Sequence, residues 1–207
     1  RIGDERIAVA GFTNLTRDHL DYHGTMENYF QAKRRVFTMC KTAVINIDDE
    51  YGKRLAQEFS DIAVTYSAEG NADYHAEFIR MNATGCSYML VNEREKTACR
   101  VDMNMTGLYN VQNSLCAIAM VTALGFDMTE CAKALSDLDG VDGRMNVVYR
   151  GDFTVITDYA HTDDALIKVL STLKPLTKGR LICVFGAAGD RDKEKRPMMA
   201  KAAEDNA

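Results

Sequence analysis

Apolar and polar residues alternate along the first fifty positions in blocks that fit strands and helices. Residues 7–12 (IAVAGF) are continuously apolar, which predicts a buried strand. Residues 26–40 (MENYFQAKRRVFTMC) carry apolar side chains at helical spacing, and residues 43–47 (AVINI) predict a second buried strand. A strand, a helix and a strand in this order indicate a parallel sheet with crossover helices.

The middle of the chain changes to shorter apolar runs. Residues 74–104 contain three strand-like runs separated by turn-prone residues, which predicts a small antiparallel addition. Residues 108–124 then predict a strongly apolar helix that ends at Gly125, and residues 128–137 predict another helix.

The alternating pattern starts again after a glycine-containing segment at residues 140–144 (GVDGR), which we interpret as a hinge. It consists of a predicted strand at residues 153–158, a helix at residues 162–174 and a strand at residues 181–186. A glycine-containing loop then leads into a further helix.

We therefore predict an α/β protein with two domains. Residues 1–143 would form a central domain with a mostly parallel sheet and the antiparallel addition, and residues 144–207 a Rossmann-like domain. Two parallel strands cannot form a covered sheet by themselves. We therefore expect the second domain to be truncated at Ala207.

One position of the 26–40 helix breaks its apolar face. Met26, Phe30, Phe37 and Cys40 lie on the stripe that would pack against a core, and Lys33 lies in the middle of that stripe. Its long stem can cover apolar surface while the ammonium reaches water. Alternatively, burial lowers the pKa of the amine, and a neutral amine can capture carbon dioxide as a carbamate. A carbamate is an anionic oxygen ligand suited to Mg²⁺.

A polar segment directly after the first strand offers partners for that lysine. Asp18, His19, Asp21 and His23 follow the end of a strand, where α/β proteins place their ligands. His19 and His23 are four residues apart, which would also suit zinc, although no third His or Cys ligand is evident nearby. In a simpler interpretation these residues only cap and fix the loop, as Thr16 and Asp18 can do.

Composition and charge argue against nucleic-acid-binding and membrane-spanning proteins. The 207 residues are 46% apolar and 27% charged with a net charge of −5, and no basic face suggests nucleic-acid binding. No apolar run approaches the roughly 20 residues that span a bilayer. Six scattered cysteines lack C-x-x-C spacing, so we expect reduced thiols in a cytoplasmic protein.

Several stretches follow one another in a specific order. FTNLTRDHLDYHG is followed by NYFQAK, and further along come GLYNVQNSLCA, GRMNVV, DYAHTDDAL and CVFGAAGDRDKEKRP. The first pair resembles the central-domain motif of the Mur ligases, the ATP-dependent ligases of bacterial cell-wall synthesis, and the others resemble the later motifs of that family in the same order. The chain departs from the family at Asp163, where proline is usual, and in GAAGD, where GCGGD is usual; neither change removes a charged contact.

This resemblance implies a fold, a reaction and its cofactors. The central domain would be of the P-loop ligase type, and ATP and Mg²⁺ would be required. The reaction would add a third residue, diaminopimelate or lysine, to UDP-MurNAc-L-Ala-D-Glu through an acyl phosphate. The partners would be this UDP-MurNAc-dipeptide and a free amino acid, with no nucleic acid or membrane, and the protein would be a monomer.

The resemblance also implies roles for individual residues. Lys33 matches the lysine that is carbamylated in the family, His19 a ligand of the accompanying Mg²⁺, and Arg1 an arginine that contacts the UDP-sugar-peptide. The residues that would contact ATP are Asn110, Arg144, Asp158 and His161. Arg144 is also assigned a catalytic role. Arg191 matches an arginine that binds the incoming amino acid. Simpler roles are a helix cap for Asn110, a surface position for Arg144, packing or capping for His161 and a solvated loop for Arg191.

The phosphate-binding loop of the family does not occur in this sequence. No G-x-x-x-x-G-K-[ST] segment is present. Family members carry that loop upstream, together with a UDP-binding domain and a metal-binding glutamate, so we expect these residues to be an inactive fragment of an active parent. Two other interpretations remain, a folylpolyglutamate-type ligase and a non-catalytic metal-binding or interaction module.

Overall fold

Six strands that follow one another in the chain build the larger sheet of the protein. The computed structural model describes residues 7–82, 85–138, 140–187, 193 and 195–207. The strands are β1 (Ile7–Phe12), β2 (Cys40–Asn46), β3 (Ala63–Ser67), β4 (Tyr74–Asn82), β5 (Gly85–Asn92) and β6 (Thr97–Met103), and their order in the sheet is their order in the chain. The mixed α/β fold predicted from the sequence is confirmed.

The sheet is parallel at one end and antiparallel at the other. The pairs β1–β2, β2–β3 and β3–β4 are parallel, whereas the pairs β4–β5 and β5–β6 are antiparallel. The predicted antiparallel strands therefore form, and they continue the same sheet. Only Tyr66 with Tyr74 and Ser67 with His75 are paired between β3 and β4. The two halves of the sheet are consequently joined by a short ladder.

Helices cover both faces of the parallel half. The helices of the chain are α1 (Leu20–His23), α2 (Met26–Arg34), α3 (Glu50–Glu58), α4 (Leu108–Thr122), α5 (Met128–Ser136), α6 (Asp163–Leu173) and α7 (Lys195–Asn206). Along β2, Ala43 and Ile45 point into the core that includes Phe30 of α2, whereas Val44 points into the core that includes Leu115 of α4. All three β2 side chains are fully buried, as expected of a strand covered on both faces.

The predicted helix over residues 26–40 is shorter than expected. Helix α2 ends at Arg34 and a 3-10 turn, Arg35–Thr38, follows it, while Cys40 already belongs to β2. Phe30 and Phe37 are both buried at 2% exposure, so the apolar stripe itself is confirmed. The tighter turn brings the chain into β2 without a loop.

A second, smaller sheet follows the 140–144 segment. Strands β7 (Asn146–Arg150) and β8 (Thr154–Thr157) pair antiparallel, and Leu166 of α6 packs with Met199 and Ala202 of α7. The prediction of a strand at residues 181–186 is wrong, because that segment has no strand pairing and Val184 is 92% exposed. Its apolar side chains find no neighbouring strand among the described residues. None of the described helices is both long and apolar enough to cross a bilayer.

Candidate active site

The polar segment after β1 is tied to the carboxyl end of β2. The buried Asn46 donates its side-chain amide to the carbonyl of Thr13 at 2.8 Å, and Asp49 accepts the backbone N–H of Leu15 at 3.1 Å. The other oxygen of Asp49 caps α3 by accepting the N–H groups of Tyr51 and Gly52. One carboxylate therefore fixes both the start of α3 and the segment that leads to Asp18 and His19.

His19 lies at the start of α1 in a left-handed backbone conformation. Its φ of 54° and ψ of 24° are uncommon for a residue with a side chain, and such a conformation costs about 1 kcal/mol or more. The carboxylate of Asp18 accepts the His19 backbone N–H at 3.0 Å, which helps to hold that conformation. The imidazole meets the ring of Tyr29 edge-on, with the centroids 6.1 Å apart.

Lys33 approaches the same tyrosine from the last turn of α2. Its Nζ lies 5.3 Å from the centroid of the Tyr29 ring, and the side chain is half-buried rather than splayed into solvent. Burial lowers the pKa of the Lys33 amine, and the nearby carboxylates of Asp49 and Asp18 partly oppose this effect. The structure thus brings Lys33 and His19 to one aromatic ring, and the roles assigned to them stay predictions.

The zinc alternative has little support from the geometry. The ring of His23 stacks on Tyr29 with the centroids 4.6 Å apart, while His19 contacts the edge of that ring. In the described portion of the chain, no group of three or more His, Cys, Asp or Glu side chains is placed to hold a metal ion. A structural zinc site needs four ligands, and the described residues add none to this histidine pair.

The Asp18 carboxylate also reaches residues far along the chain. Lys195 donates to its Oδ1 at 3.2 Å, and the Nε2 atoms of His161 and His19 lie 3.4 Å and 3.5 Å from its Oδ2. Burial alone raises the pKa of Asp18, but the hydrogen bonds from Lys195 and from the His19 backbone outweigh it and lower that pKa. Sequence reasoning missed Lys195, although it lies within the GDRDKEKRP motif.

A second polar group lies at the start of α4. Asn110 is the third residue of that helix and is 7% exposed; its side-chain amide donates to the carbonyl of Thr106 at 2.8 Å. The N-cap position is held by Gly107, at φ 108°, so Asn110 is not the cap. The hydroxyls of Thr106 and Tyr109 are buried without a hydrogen-bond partner among the described residues. Buried hydroxyls of this kind usually mark a site for a ligand or water.

Arg144 and Asp158 lie near Tyr109 at that helix start. The Arg144 guanidinium lies over the ring of Tyr159, 4.9 Å from its centroid, and Asp158 accepts the backbone N–H groups of Met145 and Ala160. Burial raises the pKa of Tyr109, with a further increase from Asp158 and a small opposing effect of Arg144. Tyr109 therefore lies within electrostatic reach of both predicted nucleotide residues.

One cavity is lined by part of this set of residues, without Lys33, Asn110 or Arg144. Its volume is ≈ 1710 Å³, and it is lined by Asp18, His19, Asp158, His161 and Lys195 together with apolar side chains of the second domain. The two remaining predicted site residues, Arg1 and Arg191, lie outside the described residues. The catalytic and binding roles of all these residues remain predictions.

Two family models match the chain. The Mur ligase middle domain matches residues 1–121, and the glutamate ligase domain of the Mur ligases matches residues 143–207. The chain belongs to the Mur ligase family. Both halves of this Mur ligase chain are thus assigned, and the exact boundary between its domains, placed at residue 143 from the sequence, stays a prediction.

Curated relatives are similar to nearly all of this Mur ligase chain. A protein of Clostridium botulinum named UDP-N-acetylmuramoyl-L-alanyl-D-glutamate–2,6-diaminopimelate ligase is 42% identical over 92% of the chain. Proteins of the same name from Fusobacterium nucleatum and Bacillus licheniformis are 44% identical over 94% and 95% of it. The chain spans about two fifths of the length of these relatives, between 40% and 42%.

Solved structures agree with the fold of a Mur ligase. A structure of a ligase with the same diaminopimelate name has 38% identity and a TM-score of 0.72, covering 99% of this chain and 43% of that one. MurF from Acinetobacter baumannii reaches a TM-score of 0.83 at 22% identity over 96% of this chain and 44% of its own. A complex named FPGS–AMPPCP–folate reaches 0.75 at 14% identity over 95% of this chain and 49% of its own. The last two similarities concern the fold alone.

Proposed function

We propose that the complete gene product containing this chain is an ATP-dependent ligase that joins diaminopimelate to UDP-MurNAc-L-Ala-D-Glu. The observation that carries the proposal is the approach of Lys33 and His19 to one ring, Tyr29, beside a carboxylate that contacts the second domain. The names of relatives at 42–44% identity support the choice of diaminopimelate over lysine.

The reaction has to bring two anions together. The carboxylate of the UDP-MurNAc-dipeptide attacks the γ-phosphorus of ATP, ADP leaves, and an acyl phosphate remains. The amine of diaminopimelate then attacks the acyl carbon, phosphate leaves, and the amine loses a proton. Charge repulsion between carboxylate and phosphate opposes the first step, so cationic groups must offset it.

The residues around Tyr29 fit a magnesium site if Lys33 is carbamylated. The burial that lowers the pKa of the Lys33 amine increases its neutral, reactive fraction. A carbamate there would be an anion near Asp18 and Asp49, so it would need a cation to persist. Lys33 as carbamate and His19 would hold Mg²⁺, which when bound neutralises phosphate charge, and the other ligand positions would be filled by water and phosphate oxygens.

The group at the start of α4 would receive the nucleotide. Asn110 offers an amide and Asp158 a carboxylate. The buried hydroxyl of Tyr109, which has no hydrogen-bond partner within the described part of the chain, offers a further hydrogen-bonding group. Arg144, the last residue of the 140–144 segment, would contact a phosphate and link ATP binding to the position of the second domain. His161 would contribute from the start of α6.

Contacts with the other substrates rest on the resemblance alone. Arg1 would contact the UDP-sugar-peptide, and Arg191 the incoming diaminopimelate. We further propose that the protein acts as a monomer in the cytoplasm, with neither nucleic acid nor membrane as partner. The cytoplasm supplies the ATP that the reaction consumes.

The test is an assay of the complete gene product with both substrates. ADP release should require UDP-MurNAc-L-Ala-D-Glu together with diaminopimelate, and the mass of the product should match the tripeptide. Activity with lysine but not with diaminopimelate as the amino-acid substrate would refute the choice of amino acid. Activity with a folate and glutamate, or no ADP release with any pair, would refute the proposal.

A matched pair of lysine variants tests the role of Lys33. Lys33→Arg keeps the charge but cannot form a carbamate, so ligase activity should be lost. Lys53→Arg makes the same change at an exposed lysine of α3 that pairs with Glu50, and activity should be retained. Equal activity of the two variants would exclude a carbamate from the mechanism.

A further inference from the structure

The carboxylate of Asp18 contacts residues of the second domain. Asp18 belongs to the segment after β1, whereas its partners Lys195 and His161 lie at the starts of α7 and α6. The Asp18 and Lys195 side chains are only 22% and 18% exposed, so this ion pair is partly shielded from water. Shielded pairs of this kind are costly to break, because each charge is left without its partner.

The same carboxylate also holds His19. Asp18 Oδ1 is shared between Lys195 and the backbone N–H of His19, and Asp18 Oδ2 lies between the imidazoles of His19 and His161. The backbone bond supports the left-handed conformation of His19. A movement of Lys195 or His161 away from Asp18 therefore frees the group that orients His19.

We propose that Asp18 is a positioning residue that couples docking of the second domain to the orientation of His19, with Lys195 as its main partner across the domain join. Docking would hold Asp18 in the position that supports the His19 backbone. Undocking would leave Asp18 free to rotate and His19 free to relax from its left-handed conformation. The consequence for catalysis rests on the proposed ligase function, whereas the structural coupling does not.

Hydrogen–deuterium exchange of the complete gene product measures the coupling directly. Asp18→Asn and Lys195→Met should each accelerate exchange in α1 and in the first turns of α7 by about fivefold. The double variant should exchange no faster than either single variant, because both substitutions break the same interaction.

Two matched variants control for the loss of a charge. Asp21→Asn removes an exposed carboxylate from α1, and Lys201→Met removes a lysine that pairs with Glu204 and Asp205 inside α7. Neither should change exchange in the other domain. Additive effects of Asp18→Asn and Lys195→Met, or an effect of each confined to its own domain, would overturn the proposal.

Kinetics of the complete gene product separate positioning from substrate binding. Lys195→Met should lower kcat by about tenfold with the KM values of all three substrates unchanged, and Lys195→Arg should restore most of the rate. A rise in the KM for one substrate with kcat unchanged would make Lys195 a substrate-binding residue and overturn the proposal. If the wild-type gene product has no ligase activity, the proposed function fails, and the exchange data alone decide the coupling.

Discussion

Replacing Gly52 by alanine tests how closely α3 approaches the sheet. Gly52 is the third residue of α3 and is buried. A Cβ atom at this position would lie 1.8 Å from the backbone oxygen of Asn46, and real Cβ contacts are essentially never shorter than 3.0 Å. Because the obstacle is the backbone of β2, the start of the helix has to move away by more than an ångström.

Two opposing effects set the size of the result. Alanine is favoured over glycine inside a helix by about 1 kcal/mol. Overpacking against a rigid backbone costs about 2–3 kcal/mol. We therefore expect Gly52→Ala to lower the free energy of unfolding by about 1–2 kcal/mol. The displacement would also disturb Asp49, which caps this helix and holds Leu15.

Guanidinium unfolding of the 207-residue chain, followed by circular dichroism, provides the measurement. Lys53→Ala changes the next residue on the exposed side of α3 and should alter the free energy of unfolding by no more than about 0.5 kcal/mol. A Gly52→Ala variant as stable as the wild type, or more stable, would show that helix propensity outweighs the close approach to β2.

Two further substitutions test the charges. Lys33→Met should leave the free energy of unfolding within about 1 kcal/mol of the wild-type value, because the stem of this half-buried lysine already packs in an apolar environment. The same substitution should abolish the ligase activity of the complete gene product, and retained activity would contradict the proposed role. Burial alone raises the pKa of Asp73, but hydrogen bonds from Arg94 and Thr65 outweigh it and lower that pKa below 3.8. A carboxyl group with a lowered pKa in the folded state stabilises the protein above about pH 4, and this stabilisation is lost as the pH falls through the pKa of the folded state. Unfolding experiments should therefore show that Asp73→Asn loses less stability than the wild type between about pH 5 and pH 2. Parallel curves for the two proteins would contradict this reasoning.

Elements with strong internal periodicity were predictable from the sequence. The apolar run at residues 7–12 became β1 with the same bounds, and the helix expected at residues 108–124 forms over Leu108–Thr122. Lys33 could also be singled out from the sequence, because a charged residue within an apolar stripe is recognisable without knowledge of the fold. These features depend on neighbours within the same element.

Features that depend on distant partners were not predictable. The apolar run at residues 181–186 has the composition of a strand, but a strand needs a neighbour with which to pair, and the described residues supply none. Strand β7 was missed for the same reason, since its pairing with β8 defines it. Asp18 and Lys195 are 177 residues apart in sequence, so no local pattern could connect them.

The chain-order arrangement of the six strands has a consequence for synthesis on the ribosome. Each strand pairs with the one made just before it, so the sheet can grow as the polypeptide emerges, and no strand has to wait for a later one. Lys195 leaves the ribosome only after all six strands and α4 have been made. The bond from Lys195 to Asp18 therefore forms only after these elements have been made, and a nascent chain stalled before that point would hold an assembled sheet in which the Asp18 carboxylate lacks its bond from Lys195.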